Sequence, residues 1–248
     1  MGSILPCCLP CGKAGGLQIL CCQGIKVNDY NFTLDALALK PSGFCNVKVD
    51  KETKGMTMKV SEIEKAFTVF FSLENGLSAD RESGKRYLAD VKQMFADQEA
   101  AKARLNKENP LIYEFYDLGL PDIAGDLAFG TSITYPGKIG DEYFMTKGHF
   151  HQILETAEVY FCFRGQGMMM MENPEGEWDF QRLSPGKAVY VPQRFAHRSI
   201  NTGDTPFCTF FCFRADAGHD YKTIETKGFR KIVVDKNGEP TVVDNPGW

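Results

Sequence analysis

The chain has 248 residues, enough for one large domain or for one domain with an extension. Its 43% hydrophobic and 24% charged residues are typical of a globular protein, and its net charge of −4 argues against broad binding to nucleic acid or anionic membranes. No apolar run approaches the roughly 18 residues that a membrane span needs, and the start lacks a signal-peptide pattern. The cytoplasm is therefore the expected compartment.

Residues 1–25 form a leader rich in Gly, Cys and Pro, without a clean hydrophobic period, and we expect it to be poorly ordered. It contains five of the nine cysteines: Cys7, Cys8, Cys11, Cys21 and Cys22. Two alternatives stay open. Gly2 followed by a cysteine pair resembles an acylated N-terminus, although Pro6 stands where that pattern has Ser or Thr. A metal could bind the C-x2-C motif that ends at Cys11, but no second pair at that spacing completes a zinc site.

Residues 26–107 are predicted to form an extension of strands, turns and one helix. Asn75-Gly76 is a turn signal. The clearest helical period runs over residues 83–107, with Ser83 as a candidate N-cap. Asn109-Pro110 should end this helix, because the residue before a proline disfavours the helical conformation.

Residues 108–248 contain short β-rich runs that are separated by turn residues, such as LAFGTSITY, EVYFCFRG and FCTFFCFR. Many short strands without intervening helices predict a mainly β fold, either a sandwich or a closed barrel. The four methionines Met168 to Met171 are expected in a strand rather than in a metal site. Cys162, Cys208 and Cys212 lie in apolar-aromatic runs and are expected to be buried free thiols.

The stretch 146-TKGHFHQILETAEVY-160 holds the first candidate metal ligands. His149 and His151 share a face of a strand, and Glu158 begins the next run. His197 follows a Pro turn, and a barrel can bring it beside this strand. Three imidazoles and one carboxylate suit a single Fe, Mn, Ni or Zn ion with open positions. Spacing alone also allows four unrelated polar residues.

Two longer motifs resemble those of cupins: H-x-H…E-x6-G from His149 to Gly165, and G-x5-P…H-x3-N from Gly186 to Asn201. The gap of six residues before Glu158 and the Pro-Gln-Arg turn depart from the general cupin pattern. They fit one branch. The runs TYPGKIGDEYFMTKGHFH, PGKAVYVPQRFAHRSINTGD and ADAGHDY closely resemble the cupin-type glucose-6-phosphate isomerases of archaea and some bacteria. This resemblance covers about two thirds of the chain and leaves residues 1 to about 60 unexplained.

The resemblance implies a jelly-roll-like cupin barrel over residues 108–248, a homodimer, and interconversion of glucose 6-phosphate and fructose 6-phosphate in glycolysis and gluconeogenesis. It implies one divalent metal per chain, with iron expected first, held by His149, His151, Glu158 and His197. The matching sugar-phosphate residues are Tyr113, Ser132, Thr146, Gly148, Tyr160, His219 and Tyr221.

Phosphate binds well to hydroxyls, backbone N–H groups and a nearby cation, so Thr146, Lys147 and Gly148 are expected to form a phosphate-binding cradle. Lys147 could equally be a solvated surface residue. Strict alternation turns Thr146 away from His149, so a β-bulge or a backbone role for Gly148 is expected. Phe213 stands where relatives often carry Tyr, which removes one possible hydroxyl contact.

Aldose–ketose isomerisation can proceed by proton transfer through a cis-enediol, with Glu158 as the candidate base. His219 and Tyr221 then serve ring opening or proton shuttling. A metal-assisted hydride shift is the competing route, and the sequence does not choose between them. Two other function classes stay open: a cupin dioxygenase or decarboxylase, and a sugar-phosphate-binding cupin without turnover.

Overall fold

The computed structural model describes residues 66–78, 82–118 and 122–248, together with four short strands between residues 13 and 32. The chain divides into two units, Met1–Met58 and Lys59–Trp248. The strands of the first unit form two antiparallel pairs, β1 (Lys13–Ala14) with β2 (Leu17–Gln18) and β3 (Ile25–Val27) with β4 (Tyr30–Phe32). The predictions for the cysteine side chains of the leader lie outside the described residues. No helix in the described part of the chain is long and apolar enough to span a membrane.

The second unit is built from antiparallel strands, as predicted for a mainly β protein. The strands are β5 (Gly84–Tyr87), β6 (Leu111–Asp117), β7 (Leu127–Thr134), β8 (Lys138–Ile139), β9 (Glu142–Tyr143), β10 (Glu158–Arg164), β11 (Gly167–Glu172), β12 (Trp178–Leu183), β13 (Ala188–Val191), β14 (Ala196–Asn201), β15 (Phe207–Arg214), β16 (Lys231–Lys236) and β17 (Glu239–Asp244). They form a six-stranded sheet in the order β13-β10-β15-β7-β6-β5, a three-stranded sheet β12-β11-β14, and a four-stranded sheet β17-β16-β9-β8.

The central strand of the three-stranded sheet, β11, is buried on both faces, which explains its four consecutive methionines. Met169 and Met171 pack with Tyr160 and Val191 of the six-stranded sheet. Met168 and Met170 point to the other side, into a core shared with the helices and the four-stranded sheet. Successive residues of a strand alternate between its faces, so a strand between two layers is apolar throughout.

The predicted helix over 83–107 is only partly present. Strand β5 occupies its start, and the rest divides into α1 (Leu88–Val91), a 3-10 turn (Lys92–Met94) and α2 (Gln98–Leu105). Ser83 is no cap, since its hydroxyl donates to Glu114 at 2.6 Å, whereas Asp97 caps α2 by accepting from the Ala100 amide at 2.8 Å. Pairing of β5 with β6 overrides the local helical pattern here. The extension therefore supplies one strand to the six-stranded sheet, and the region boundaries at 25/26 and 107/108 stay predictions.

The three downstream cysteines differ in burial. Cys162 and Cys208 are buried free thiols, as expected. Cys212 is only partly buried, so the expectation is wrong for this residue. It pairs with Phe129 and Val159 across the sheet, and the side chain of Val159 is 40% exposed on that face. Apolar sequence around a strand residue does not tell which face of the sheet is covered.

Glu142 of β9 connects the four-stranded sheet to the helical segment. Its carboxylate is buried and accepts from the Ala96 amide at 2.8 Å. Burial raises the pKa of Glu142 to about 7, against the opposing effects of that hydrogen bond and of Arg198.

The pKa of Glu142 is higher in the folded than in the unfolded chain. Its contribution to the free energy of unfolding is therefore fully present below about pH 4.5 and is lost as the pH rises to about 7. Glu142→Gln should remove this dependence. Urea denaturation at pH 5 and pH 8 should show the variant gaining about 3 kcal/mol over the parent at the higher pH. The exposed Glu239→Gln is the control. Equal pH dependence in Glu142→Gln and the parent would contradict the assignment.

Candidate metal centre and substrate cavity

The four predicted metal ligands converge on one point. His149 and His151 lie on the segment after β9, Glu158 starts β10, and His197 lies on β14. One potential ligand atom from each of the four lies within 4.8 Å of all the others. The Glu158 Oε2 atom is 3.1 Å from His151 Nε2 and 2.9 Å from His197 Nε2. The side chains of His151, Glu158 and His197 are buried.

Backbone carbonyls orient two of these imidazoles. The Nδ1 atom of His151 lies 3.2 Å from the Gly218 carbonyl oxygen, and that of His197 lies 3.3 Å from the Phe195 carbonyl oxygen. When Nδ1 donates to a carbonyl, Nε2 is left as the ligand atom, which is the usual arrangement at metal sites. The Nε2 atom of His149 is buried and has no hydrogen-bond partner, and that of His197 is buried 2.9 Å from Glu158 Oε2 without a well-aligned hydrogen bond. Buried nitrogen atoms without partners, beside a carboxylate, fit a divalent cation.

The protonation states of Glu158 and His149 also favour a divalent cation. Burial raises the pKa of Glu158, but His197 and the hydrogen bond with His151 outweigh it and hold the pKa below its usual value. Burial, helped by the nearby His197, lowers the pKa of His149 well below its usual value. An ionised Glu158 carboxylate and a neutral His149 imidazole are the states in which these two groups bind a metal.

A cavity of about 230 Å³ opens beside this group. It is lined by nearly all of the residues that the sequence pointed to: Tyr113, Ser132, Thr146, Lys147, Gly148, His149, Glu158, Tyr160, His197, His219 and Tyr221. His151 is the exception, because it lines an adjacent groove, which shares Lys147, His219 and Tyr221 with this cavity. Phe213 is also in the wall, with its ring centroid 5.4 Å from that of His219.

The expected bulge is present. Met145 pairs with Ile200, and the Thr146 amide donates to the Ser199 carbonyl at 2.9 Å. The next pair is His149 with His197, so Lys147 and Gly148 together lie opposite Arg198 alone. Gly148 has φ +77° there. The extra residue shifts the alternation, which lets Thr146 and His149 line the same cavity although they are three residues apart.

Lys147 is held in place rather than freely solvated. Its Nζ atom lies 2.6 Å from Glu225 Oε1 and 5.5 Å from the centre of the Tyr221 ring. Both partners belong to α3 (Tyr221–Lys227), whose N-terminus is capped by Asp220 through the Thr223 amide at 3.2 Å. The lysine therefore bridges the bulge and this helix at the cavity wall.

His219 and Tyr221 form a stacked pair, with ring centroids 5.6 Å apart and an interplanar angle of 13°. The His219 ring centroid is 4.4 Å from that of His149. Backbone hydrogen bonds between Phe150 and Asp220, at 3.2 and 2.7 Å, fix this segment to the histidine strand. The AGHDY run thus lies against the metal-ligand group.

Five residues of the wall were missed by sequence reasoning: Arg86, Phe115, Asp117, Ser199 and Phe211. Arg86 was assigned to the predicted helix, whereas it lies on β5. Ser199 could have been found, because it is two residues after His197 on the same strand and so shares its face. Phe115, Asp117 and Phe211 could have been found in the same way, because they share a strand face with the candidates Tyr113 and Phe213. Arg86 depends on the pairing of β5 with β6, which the local pattern does not contain.

A family model described as Glucose-6-phosphate isomerase (GPI) matches residues 85–245. The chain belongs to this family. Glucose-6-phosphate isomerases of Thermococcus litoralis and Pyrococcus furiosus are 48% and 46% identical to it over 182 residues, which cover 73% of this chain and 96% of each relative. The glucose-6-phosphate isomerase of Sinorhizobium medicae is 35% identical over 175 residues, covering 69% of this chain and 82% of the relative.

Among solved structures, Bacillus subtilis oxalate decarboxylase aligns with a TM-score of 0.34 and 22% identity, covering 42% of this chain and 26% of that chain. This likeness is too limited to bear on function. The isomerase family accounts for the region from β5 to β17, so the residues of the cavity all lie inside the matched part of the chain.

The bulge should be sensitive to any side chain at position 148. A Cβ on Gly148 would lie 2.8 Å from the Phe229 ring and 2.9 Å from the His197 carbonyl oxygen. Gly186 has a similar φ of +88°, but a Cβ there meets nothing within 4 Å. Gly148→Ala should therefore lower the free energy of unfolding by about 1–3 kcal/mol more than Gly186→Ala does. Equal losses in chemical denaturation would show that the close contacts around Gly148 are unimportant.

Proposed function

We propose that this protein interconverts glucose 6-phosphate and fructose 6-phosphate in the cavity beside the four-residue group. The observation that supports this most directly is the position of that group. Two of its imidazoles, His149 and His197, and its carboxylate form part of the wall of a cavity that is also lined by hydroxyl groups and by the cations of Arg86 and Lys147. A sugar phosphate needs both kinds of contact, since its hydroxyls bind polar groups and its phosphate binds cations.

The proposed metal ligands are His149, His151, Glu158 and His197. Iron is the metal that we expect, with manganese, nickel and zinc as alternatives that the same donor set suits. When bound, a divalent metal supplies a Lewis acid that polarises the sugar carbonyl. The low pKa of Glu158 favours its role as a ligand over a role as the main base.

His219 and Tyr221 are proposed to handle the protons. Burial lowers the pKa of His219, so at neutral pH its imidazole is uncharged and can accept a proton from a sugar hydroxyl or carbon. Burial raises the pKa of Tyr221 to about 12, so its hydroxyl stays protonated and donates to a sugar oxygen. One acceptor and one donor on the same wall are what ring opening and the cis-enediol route require.

The phosphate group is proposed to lie near the bulge. Thr146, Lys147 and Gly148 line the cavity there. Arg86 places its positive charge at the same end of the cavity. It lies near both Tyr113 and Tyr221, because it opposes the rise that burial causes in the pKa of each. Ser132 and Tyr160 complete the hydroxyl lining toward the metal ligands. We further propose that the enzyme is cytoplasmic and forms a homodimer. The family resemblance supports the dimer, and light scattering after size exclusion would test it.

The first experiment is a metal-removal assay with fructose 6-phosphate. We expect the purified protein to carry about one metal per chain and to form glucose 6-phosphate. Treatment with a chelator should abolish turnover, and Fe²⁺ should restore it. Bound metal without any isomerase activity would overturn the proposal and leave a binding protein or another cupin reaction.

His219→Gln should leave the metal content unchanged, because His219 is outside the four-residue group. It should lower kcat by about 100- to 10,000-fold, as the loss of a general acid or base does. Assays in D₂O add a second readout, since proton transfer through an enediol puts solvent deuterium into the sugar at C1 or C2. Product without deuterium, or a variant with parental kcat, would argue against His219 as the proton carrier.

A further inference from the structure

Arg198 is a buried cation on the side of β14 that faces away from the cavity. Its exposed fraction is 2%, whereas its neighbours His197 and Ser199 line the cavity. The guanidinium carbon lies 4.1 Å from the centre of the Phe229 ring. Arg198 is therefore outside hydrogen-bonding reach of any ligand in the cavity, and its burial requires another explanation.

Both hydrogen bonds of the Arg198 side chain go to the bulged segment. Its Nη2 atom donates to the Lys147 carbonyl at 2.8 Å, and its Nη1 atom donates to the Met145 sulfur at 3.5 Å. Lys147 and Gly148 lie opposite Arg198 in the strand pairing, so the bulge removes the Lys147 carbonyl from the regular ladder. The positively charged guanidinium of Arg198 donates to this carbonyl from the side of β14 that faces away from the cavity.

Burial lowers the pKa of Arg198 to about 10, and the nearby Glu142 and Glu172 oppose that shift. Glu142 Oε2 accepts from the Ala96 amide at 2.8 Å, and Glu172 Oε2 accepts from the Arg230 amide at 2.7 Å. The guanidinium N–H groups of Arg198 therefore remain available to bond to the segment from Met145 to Lys147. A lysine has a single ammonium group and could not reach both atoms while lying flat on the Phe229 ring.

We propose that Arg198 is a positioning residue, which fixes the bulge from behind and so holds Thr146, Lys147 and Gly148 in register with His149 and His197. Its side chain donates to Met145 and Lys147 and is not part of the cavity wall. Its effect is on the geometry of the phosphate end, while the backbone hydrogen bonds between His149 and His197, at 3.2 and 3.3 Å, keep the metal end in place.

The substitution that tests this is Arg198→Met, and its kinetic arm rests on the proposed isomerase function. We expect KM for fructose 6-phosphate to rise about 10- to 100-fold, the usual effect of losing a hydrogen bond from a charged group. We expect kcat to fall less than about threefold and bound metal to equal that of the parent. Arg198→Lys should fold and raise KM by an intermediate factor, which covers the case that Arg198→Met does not fold.

The matched control is Arg230→Met. Arg230 is also a cation beside Glu172, and its guanidinium packs on the Trp248 ring at 3.8 Å, but it makes no contact with the bulge. It should leave KM unchanged. An equal rise in KM in both variants would show a general effect of removing a cation beside Glu172 and would overturn the proposal.

Amide hydrogen exchange separates this proposal from the proposed function, because it needs no substrate. Peptides that cover residues 145–149 should exchange about tenfold faster or more in Arg198→Met and at the parental rate in Arg230→Met. If the parent protein fails to convert fructose 6-phosphate, the proposed function is wrong, and the exchange result still decides the role of Arg198. Parental exchange over 145–149 in Arg198→Met, together with parental KM if the parent is active, would overturn it.

Discussion

The pairing of the segment 145–149 with β14 is the interaction on which the rest of the site depends. It places His149 opposite His197, and the bulge within it brings Thr146 onto the same side as both. A regular ladder would turn either Thr146 or His149 out of the cavity, because side chains alternate with a period of two. The metal-ligand group and the hydroxyl-lined end are thus joined by five residues of one segment.

The packing of the neighbouring sheets and helices supports the strands to which this segment is bonded. Met169 and Met171 fill the space between the sheets, and Met168 and Met170 pack the other side of the same strand against the helices. The strand that carries His197, β14, is buried throughout and pairs with β11. Such backbone can hold imidazoles with unpaired nitrogen atoms close together, which isolated strands cannot do.

The local parts of this arrangement could be predicted from the sequence, and the long-range parts could not. His149, His151 and Glu158 follow from strand alternation within 15 residues, and His197 follows from a Pro turn that a barrel can bring beside them, an inference that the family resemblance strengthened. The bulge followed from a conflict between Thr146 and His149. Arg86 was missed because the pattern at 83–107 is helical, and only its pairing with β6 makes 84–87 a strand. Cys212 was misjudged because sequence does not say which face of the sheet is covered. The side chains of the leader lie outside the described residues.

The central claim is that the four-residue group, and not the cysteine-rich leader, holds the metal of this family member. X-ray absorption at the edge of the metal in the purified full-length protein tests it directly. The account predicts one metal per chain with imidazole nitrogen and carboxylate oxygen neighbours at roughly 2.0–2.2 Å and no sulfur. A shell containing sulfur at about 2.3 Å, as cysteine thiolates give, would contradict it.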